Sequence, residues 1–311
     1  MAESRTAVIA ALTGNGLLGA LKGASAAATG SAAMLAETFH SIADTGNQVL
    51  LLLGLRLAHR SPDELHPFGH GRNVYFWAFV VSMMLFSLGG AFAIWEAISK
   101  LTHPGPHESS VWSYVVLGGA FVFETASLVV ALRSVRQAKG DTPFRQFWRD
   151  NRDPTLTTVV LEDSAALLSL GIAAAGLELS RASGNAVWDA AASATIGTIL
   201  IVVALLLAFE NYSLIIGEAM SPMTAARIRD LVEADPAVDD LVALHTMHIG
   251  PNAVLVVAQV KFRGDIAVAE IEAAVGRLEQ SIMPLTGRQT TRRMIVIEPT
   301  PSPGEVATAA M

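Results

Sequence analysis

Six stretches of this sequence are apolar and long enough to cross a lipid bilayer, and they restrict the fold more than any other feature. Each approaches or exceeds the roughly 20 residues that a helix needs to span the hydrocarbon core. Composition agrees, because 52% of the residues are hydrophobic, 16% are charged and the mean hydropathy is +0.45. An α-helical membrane protein with a smaller non-membrane part is therefore predicted. The spans, numbered one to six, are Thr6–Ala28, Ala32–Ala58, Val74–Leu101, Val111–Val135, Thr155–Leu179 and Ala190–Ile216.

The rest of the chain, from about Gly217, predicts a small α+β domain. Its patterns alternate between helical periodicity and the two-residue alternation of strands. The sequence thus predicts a transmembrane domain over residues 1–216, an α+β domain over 217–299 and a disordered tail over 300–311, which is rich in Pro, Thr and Ala. The elements predicted in the α+β domain are a helix at Pro222–Ala234, strands at Leu241–Ile249 and Ala253–Phe262, a helix at Ile266–Ile282 and a strand at Arg293–Ile297.

Basic residues predict the orientation in the membrane. They concentrate after spans two and four, whereas the opposite loops offer only Lys100 and Arg181. By the positive-inside rule, both termini, the 59–73 loop and the 133–153 loop should be cytoplasmic. No transit peptide is recognisable, so the expected location is a bacterial inner membrane.

Span two carries a stripe of polar side chains along an otherwise apolar helix. Glu37, His40, Asp44 and then Asn47 or Gln48 recur at steps of three and four residues, so they share one face. An imidazole and a carboxylate one turn apart form half of a metal site. Ionisable groups are expensive at membrane depth and usually mark an ion pathway, although they can also bond to neighbouring helices. The stripe predicts a protein that moves a divalent metal through a membrane.

Spans four and five carry further carboxylates. Adjacent helical residues point about 100° apart, so at most one of Glu162 and Asp163 faces a shared centre directly. Asp163 is the predicted ligand, and Glu162 could complete the shell or accept a proton. One of the two could instead pair with Lys22 of span one. Glu124 of span four is either a ligand, part of a proton route, or a protonated group held by a hydrogen bond.

Several function classes are excluded or disfavoured. The chain has no cysteine, which excludes disulfides, thiolate metal sites and a cysteine nucleophile. Any metal must then be held by His, Asp or Glu, which suits zinc, iron, manganese or cobalt. The net charge of −7 gives no indication of nucleic-acid binding. Without a Gly-rich phosphate loop or a His-Glu-x-x-His motif, neither an enzyme nor a bound cofactor is predicted.

The sequence contains several ordered motifs. They are Ala36-Glu37-Thr38-Phe39-His40-Ser41-Ile42-Ala43-Asp44 in span two, His66-Pro67-Phe68-Gly69-His70-Gly71-Arg72 in the following loop, Asp189 at the opening of span six, and Ile297-Glu298-Pro299 at the end of the soluble domain. These motifs resemble the cation diffusion facilitator family of metal–proton antiporters, and the resemblance covers nearly the whole chain. Asp44-Thr45-Gly46-Asn47-Gln48 in span two, Glu124 in span four and Leu161-Glu162-Asp163 in span five further resemble the branch of zinc transporter nine.

The resemblance implies six transmembrane helices and a cytoplasmic αββαβ, ferredoxin-like domain in a homodimer that alternates between inward- and outward-open states. It implies exchange of a divalent metal, Zn²⁺ first, for protons. The site would lie between spans two and five at His40, Asp44 and Asp163, with Glu162 or Glu124 completing the shell. Fe²⁺, Mn²⁺ or Co²⁺ as substrate, and a membrane sensor that binds metal without transporting it, remain alternatives.

Two features qualify the family pattern. The position four residues before Asp163, a ligand in the common pattern, is Val159, which cannot bind metal. In the 59–73 loop, Asp63, His66 and His70 match an Asp-x-x-His-x-x-x-His pattern with which some members bind a second metal. The alternative for these three residues is a solvated His-rich loop.

Overall fold

The computed structural model describes residues 12–17, 19–21, 23–24, 27, 32–102, 111–140, 143–144, 147, 153–185, 187–287, 290–291 and 294–300. The predicted first span and the 133–153 loop are described only in part. Lys22 and residues 301–311, and with them a pairing of Lys22 and most of the predicted tail, lie outside the described residues.

Five long helices correspond to predicted spans two to six. Over the described residues, α2, α4, α5 and the Leu117–Lys139 part of α3 are long and apolar enough to cross a membrane, judged by length and composition. Most of the helix ends lie a few residues outside the predicted bounds. The helices are α1 (Ala32–Ala58), α2 (Asn73–Thr102), α3 (Val111–Lys139), α4 (Pro154–Ser183) and α5 (Val187–Ile216).

The ends of α4 follow from its flanking residues. Asp153 is extended, and its carboxylate accepts a hydrogen bond from the backbone N–H of Thr155 at 3.0 Å. Pro154, which has no N–H to satisfy, takes the first helical position. At the other end Gly184 adopts a φ of 65°, the left-handed conformation that terminates helices. These caps extend the helix beyond the predicted Thr155–Leu179.

A π-helical segment, Leu85–Ala91, interrupts α2 where the sequence predicted a plain helix. Here α2 and α5 approach closely. A Cβ on Gly90 would lie 2.5 Å from Ile201 Cγ1 and 3.2 Å from the carbonyl oxygen of Gly197. Only glycine permits this approach of the two backbones.

The C-terminal part folds as two helices and a three-stranded sheet in the order α6 (Pro222–Glu233), β1 (Val238–Gly250), β2 (Ala253–Phe262), α7 (Val268–Ile282) and β3 (Ile295–Pro299). The strand order is β1-β2-β3, antiparallel between β1 and β2 and parallel between β2 and β3. The small sheet confirms the predicted α+β character. Both helices pack apolar side chains against one face of the sheet. The buried residues of this core include Ile228, Val232, Val256, Leu278 and Ile282.

Some predicted ends in this region were wrong by two or three residues. The sheet begins earlier, at Val238 rather than Leu241, and its last strand is Ile295–Pro299 because that segment pairs with Val256–Val260. Helix α7 begins after Ala267, whose N–H donates to the Glu270 carboxylate.

The chain divides into two compact units. The first comprises Met1–Arg56, Val74–Phe144 and Asp153–Tyr212, and the second comprises Leu57–Asn73, Arg145–Arg152 and Ser213–Met311. Within the second unit, the loop after α1 packs on the β1–β2 hairpin. A Cβ on Gly71 would lie 2.6 Å from the carbonyl oxygen of Ile249, and Arg72 Nη2 donates to Met247 Sδ at 3.0 Å. The predicted division at residues 216 and 299 stays a prediction.

Candidate metal sites

Asp163 is a buried carboxylate in the interior of α4, 7% exposed. The hydroxyl of Ser127 on α3 donates a hydrogen bond to Asp163 Oδ2 at 2.8 Å. A carboxylate oxygen can accept more than one bond, so this contact leaves coordination capacity for a cation. The hydroxyl therefore fixes the carboxylate between α3 and α4.

Glu162 makes a separate contact, to α1. The amide of Asn47 donates from Nδ2 to Glu162 Oε1 at 3.2 Å. Asn47 is 1% exposed, so this bond is formed away from solvent. Adjacent residues of α4 thus bond to two different helices, as the 100° step predicts.

Asp44 on α1 and Glu124 on α3 are two further carboxylates on the predicted spans, and they lie near Glu162. Both are partly buried. Asp44, Glu124 and Asp163 all lie within electrostatic range of Glu162. Four carboxylates so close at membrane depth require protons or a cation to offset their repulsion. The structure thus brings four of the five predicted residues to one region.

His40 lies on α1, but its side chain is outside the described residues. Its predicted role therefore remains a prediction. Among the described side chains, the intramembrane carboxylates do not form a group of three whose oxygens all lie within 4.8 Å of one another.

Among the described residues, one group of three has ligand atoms that all lie within 4.8 Å of one another. It consists of Asp63, His66 and His70 of the loop after α1. His66 Nδ1 lies 3.1 Å from Asp63 Oδ1, and His70 Nε2 lies 3.0 Å from Asp63 Oδ2. The backbone N–H of His66 also donates to Asp63 Oδ1 at 2.7 Å. The turn therefore gathers one carboxylate and two imidazoles around one point.

The electrostatics of this loop keep its carboxylate ionised. Hydrogen bonds from His70 first, and then from the backbone and ring of His66, lower the pKa of Asp63 to about 2. A carboxylate and two neutral imidazoles form a donor set that suits Zn²⁺ and similar cations. Asp63 and His66 are exposed, so a metal would reach them directly from solvent.

The two histidines of β1 do not form a comparable site with each other. His245 pairs with Val257 and His248 pairs with Val254, with no bulge between them. Residues three apart on a regular strand face opposite sides of the sheet.

Sequence reasoning missed Ser127 and the specific pairing of Asn47 with Glu162. Ser127 lies one turn after Glu124 on α3, and that spacing could have drawn attention to it. Asn47 was recognised as part of the polar stripe, but its partner on α4 is 115 residues away and only the tertiary structure reveals it.

Comparison with known proteins identifies a matching domain and several relatives. Residues 8–216 match the cation efflux transmembrane domain. The proton-coupled zinc antiporter SLC30A9, mitochondrial, of Xenopus laevis is 36% identical over 262 residues, which cover 83% of this chain and 47% of that protein. The human protein of the same name is 34% identical over 241 residues, covering 76% of this chain and 42% of that protein. Metal tolerance protein C4 of Arabidopsis thaliana is 34% identical over 284 residues, covering 90% and 62% respectively.

The chain spans about half the length of the SLC30A9 relatives that it matches. Their names also correct one expectation. The predicted bacterial inner membrane is wrong, because these relatives are named as mitochondrial proteins. A multi-pass membrane location is supported by the matched domain and the apolar helices.

Proposed function

Because this chain belongs to the cation efflux, or cation diffusion facilitator, family of membrane transporters, we propose that it exchanges Zn²⁺ for protons across a membrane. The family and the named relatives are transporters, which confirms the prediction that the chain is not an enzyme. Two relatives are proton-coupled zinc antiporters by name, and this favours Zn²⁺ and proton coupling here.

The observation that carries the proposal is that four buried or partly buried carboxylates of α1, α3 and α4 lie within electrostatic range of Glu162 or are Glu162 itself. We assign the transported metal to His40, Asp44 and Asp163, with Glu162 or Glu124 completing the shell. Coordination requires deprotonated ligands, so metal and protons compete for the same atoms. Protons arriving from one side would release metal that was bound from the other.

The remaining architecture is proposed from the same family membership. We propose six spans, of which the described residues include four that meet the length and composition of a membrane helix. The soluble part would be a ferredoxin-like αββαβ domain that pairs two copies into a homodimer. The mitochondrial names of the relatives favour a mitochondrial membrane. The Asp63, His66 and His70 loop is proposed as a second, solvent-facing metal site.

The test is metal flux into proteoliposomes with an imposed proton gradient. We expect Zn²⁺ flux that requires the gradient and that Asp163→Ala abolishes. Glu178→Ala is the matched control, because Glu178 is an exposed carboxylate on the same helix and should not be needed. If the protein bound metal stoichiometrically but gave no flux of Zn²⁺, Mn²⁺, Fe²⁺ or Co²⁺, the result would contradict transport and favour a membrane metal sensor.

A further inference from the structure

Asn47 is a buried amide that joins the two helices that carry the proposed metal ligands. Its Nδ2 donates to Glu162 Oε1 at 3.2 Å, from α1 to α4. The side chain is 1% exposed, so water does not compete for the bond. A hydrogen bond in these surroundings restricts the rotamers of Glu162 more than a solvent-exposed contact would.

The carbonyl oxygen of the Asn47 amide differs from its nitrogen in its hydrogen bonding. Asn47 Oδ1 is buried and lacks a hydrogen-bond partner among the described residues. Buried polar oxygens without a donor are rare and usually reflect a water, an ion or a functional role. The amide therefore has spare acceptor capacity beside the carboxylates.

Asn47 is also close to a predicted metal ligand along its own helix. It lies three residues after Asp44, so both side chains lie on one face of α1. Asp44 and Asp163 are both within electrostatic range of Glu162. The amide thus contacts a carboxylate that lies within electrostatic range of both predicted aspartate ligands.

A contact that holds Glu162 is needed because Val159 cannot bind a metal. This residue lies four positions before Asp163, on the same face of α4, and its side chain supplies no ligand atom. Glu162 has the chemistry to replace the missing ligand, but its long side chain must be held. A carboxylate has about four lone-pair positions, so it can accept from Asn47 and still bind a cation.

We infer that Asn47 is a positioning residue that holds Glu162 as a metal-binding carboxylate, in place of a ligand at position 159. The inference rests on the proposed intramembrane site. Residues that orient metal ligands through hydrogen bonds usually change metal affinity by about 10–100-fold when they are lost. Loss of the Asn47 amide should therefore weaken metal binding without removing a ligand.

The experiment measures Zn²⁺ binding to purified protein and the KM of flux for the same preparations. To isolate the intramembrane site, every variant carries His66→Ala and His70→Ala. Asn47→Ala is compared with Gln48→Ala, which truncates the neighbouring buried amide of the same helix. Asn47→Ser is a second variant that keeps polarity but shortens the side chain. Val159→His is then added to Asn47→Ala to supply the absent ligand.

We expect Asn47→Ala and Asn47→Ser to weaken Zn²⁺ binding and raise KM by at least about tenfold, and Gln48→Ala to have little effect. Adding Asn47→Ala to Glu162→Gln should weaken binding no further than Glu162→Gln alone, because Asn47 acts only through the Glu162 carboxylate. Val159→His should recover the lost affinity. Equal effects at Asn47 and Gln48, or additive effects of Asn47 and Glu162, would overturn the inference. Binding without flux in the parent protein would reject transport, while the binding ratios would still decide the role of Asn47.

Discussion

Lys100 near the end of α2 pairs with Asp189 at the start of α5, with 2.9 Å between Lys100 Nζ and Asp189 Oδ2. The same ammonium lies 3.1 Å from Glu96 Oε1 and donates to Ser193 Oγ at 3.3 Å. In the sequence Lys100 lies near the end of span three and Asp189 opens span six, and their spacing does not predict this contact. The two helices run antiparallel, which brings these ends together.

We expect Lys100→Met to destabilise the membrane domain, because it leaves two carboxylates beside each other without their cation. About a third of the Lys100 and Asp189 side chains is exposed, so the expected loss is modest, about 1 kcal/mol. Thermal unfolding in detergent measures it. Arg181→Met is the control, since Arg181 is more exposed and lies 3.9 Å from Glu178. An equal loss in both variants would contradict a specific role for Lys100.

Ser127 should matter for metal handling through Asp163. Ser127→Ala removes the hydrogen bond that orients the Asp163 carboxylate. Loss of a residue that orients a metal ligand typically lowers metal affinity about 10–100-fold, so we expect the KM for Zn²⁺ to rise about tenfold or more. Flux in proteoliposomes measures this.

Ser134→Ala is the matched control for that variant. Ser134 lies on the same helix, but its hydroxyl donates to the backbone carbonyl of Val130. Transport by Ser134→Ala should match the parent protein. If the KM of Ser127→Ala also matched that of the parent protein, Ser127 would have no role in metal binding at Asp163.

The loop after α1 should hold one metal of its own. We expect the parent protein to bind two Zn²⁺ per protomer, and His66→Ala or His70→Ala to bind one. Asp163→Ala should also bind one, and the double variant His70→Ala/Asp163→Ala none. Equilibrium dialysis with metal analysis gives these numbers. An unchanged stoichiometry in His66→Ala and His70→Ala would support the solvated-loop interpretation instead.

The close approach of α2 and α5 gives a prediction with an internal control. Gly90→Ala places a methyl group 2.5 Å from Ile201 Cγ1 and should cost about 1–3 kcal/mol through overpacking. Gly171→Ala, on α4, adds a methyl group with no described heavy atom within 4 Å of it. That change should be neutral or stabilise the helix by up to about 1 kcal/mol. Thermal unfolding of both variants distinguishes local crowding from a general effect of alanine.

Local patterns predicted the helices well, because hydropathy and capping are properties of neighbouring residues. Spans two to six and the α+β elements were located to within a few residues. The π-helical segment at Leu85–Ala91, which lies where α2 approaches α5, was not predicted. The partners of Asp163 and Glu162 were also not predicted. They lie 36 and 115 residues away, and helical spacing carries no information about which helices are neighbours.

The ion pair of Asp235 with Arg277 predicts how the C-terminal unit responds to acid. Arg277 Nη2 and Nε donate to the carboxylate at 2.8 and 3.0 Å, and Asp235 Oδ1 also accepts from the backbone N–H of Ala237. The hydrogen bond from Arg277, above all, lowers the pKa of Asp235. Because the folded-state pKa is lowered, the stabilisation is present above the ordinary aspartate pKa and is lost as pH falls through the lowered value.

Asp235→Asn should therefore reduce stability near neutral pH and make no difference once the parent carboxylate is protonated. Arg277 is half exposed, so we expect about 1 kcal/mol at neutral pH. Denaturant unfolding followed by circular dichroism over a pH series measures the difference. Asp265→Asn is the control, because its pair with Arg263 is exposed and only two residues apart in sequence. A difference between Asp235→Asn and the parent protein that stayed constant down to the lowest pH would show that the ion pair is not its source.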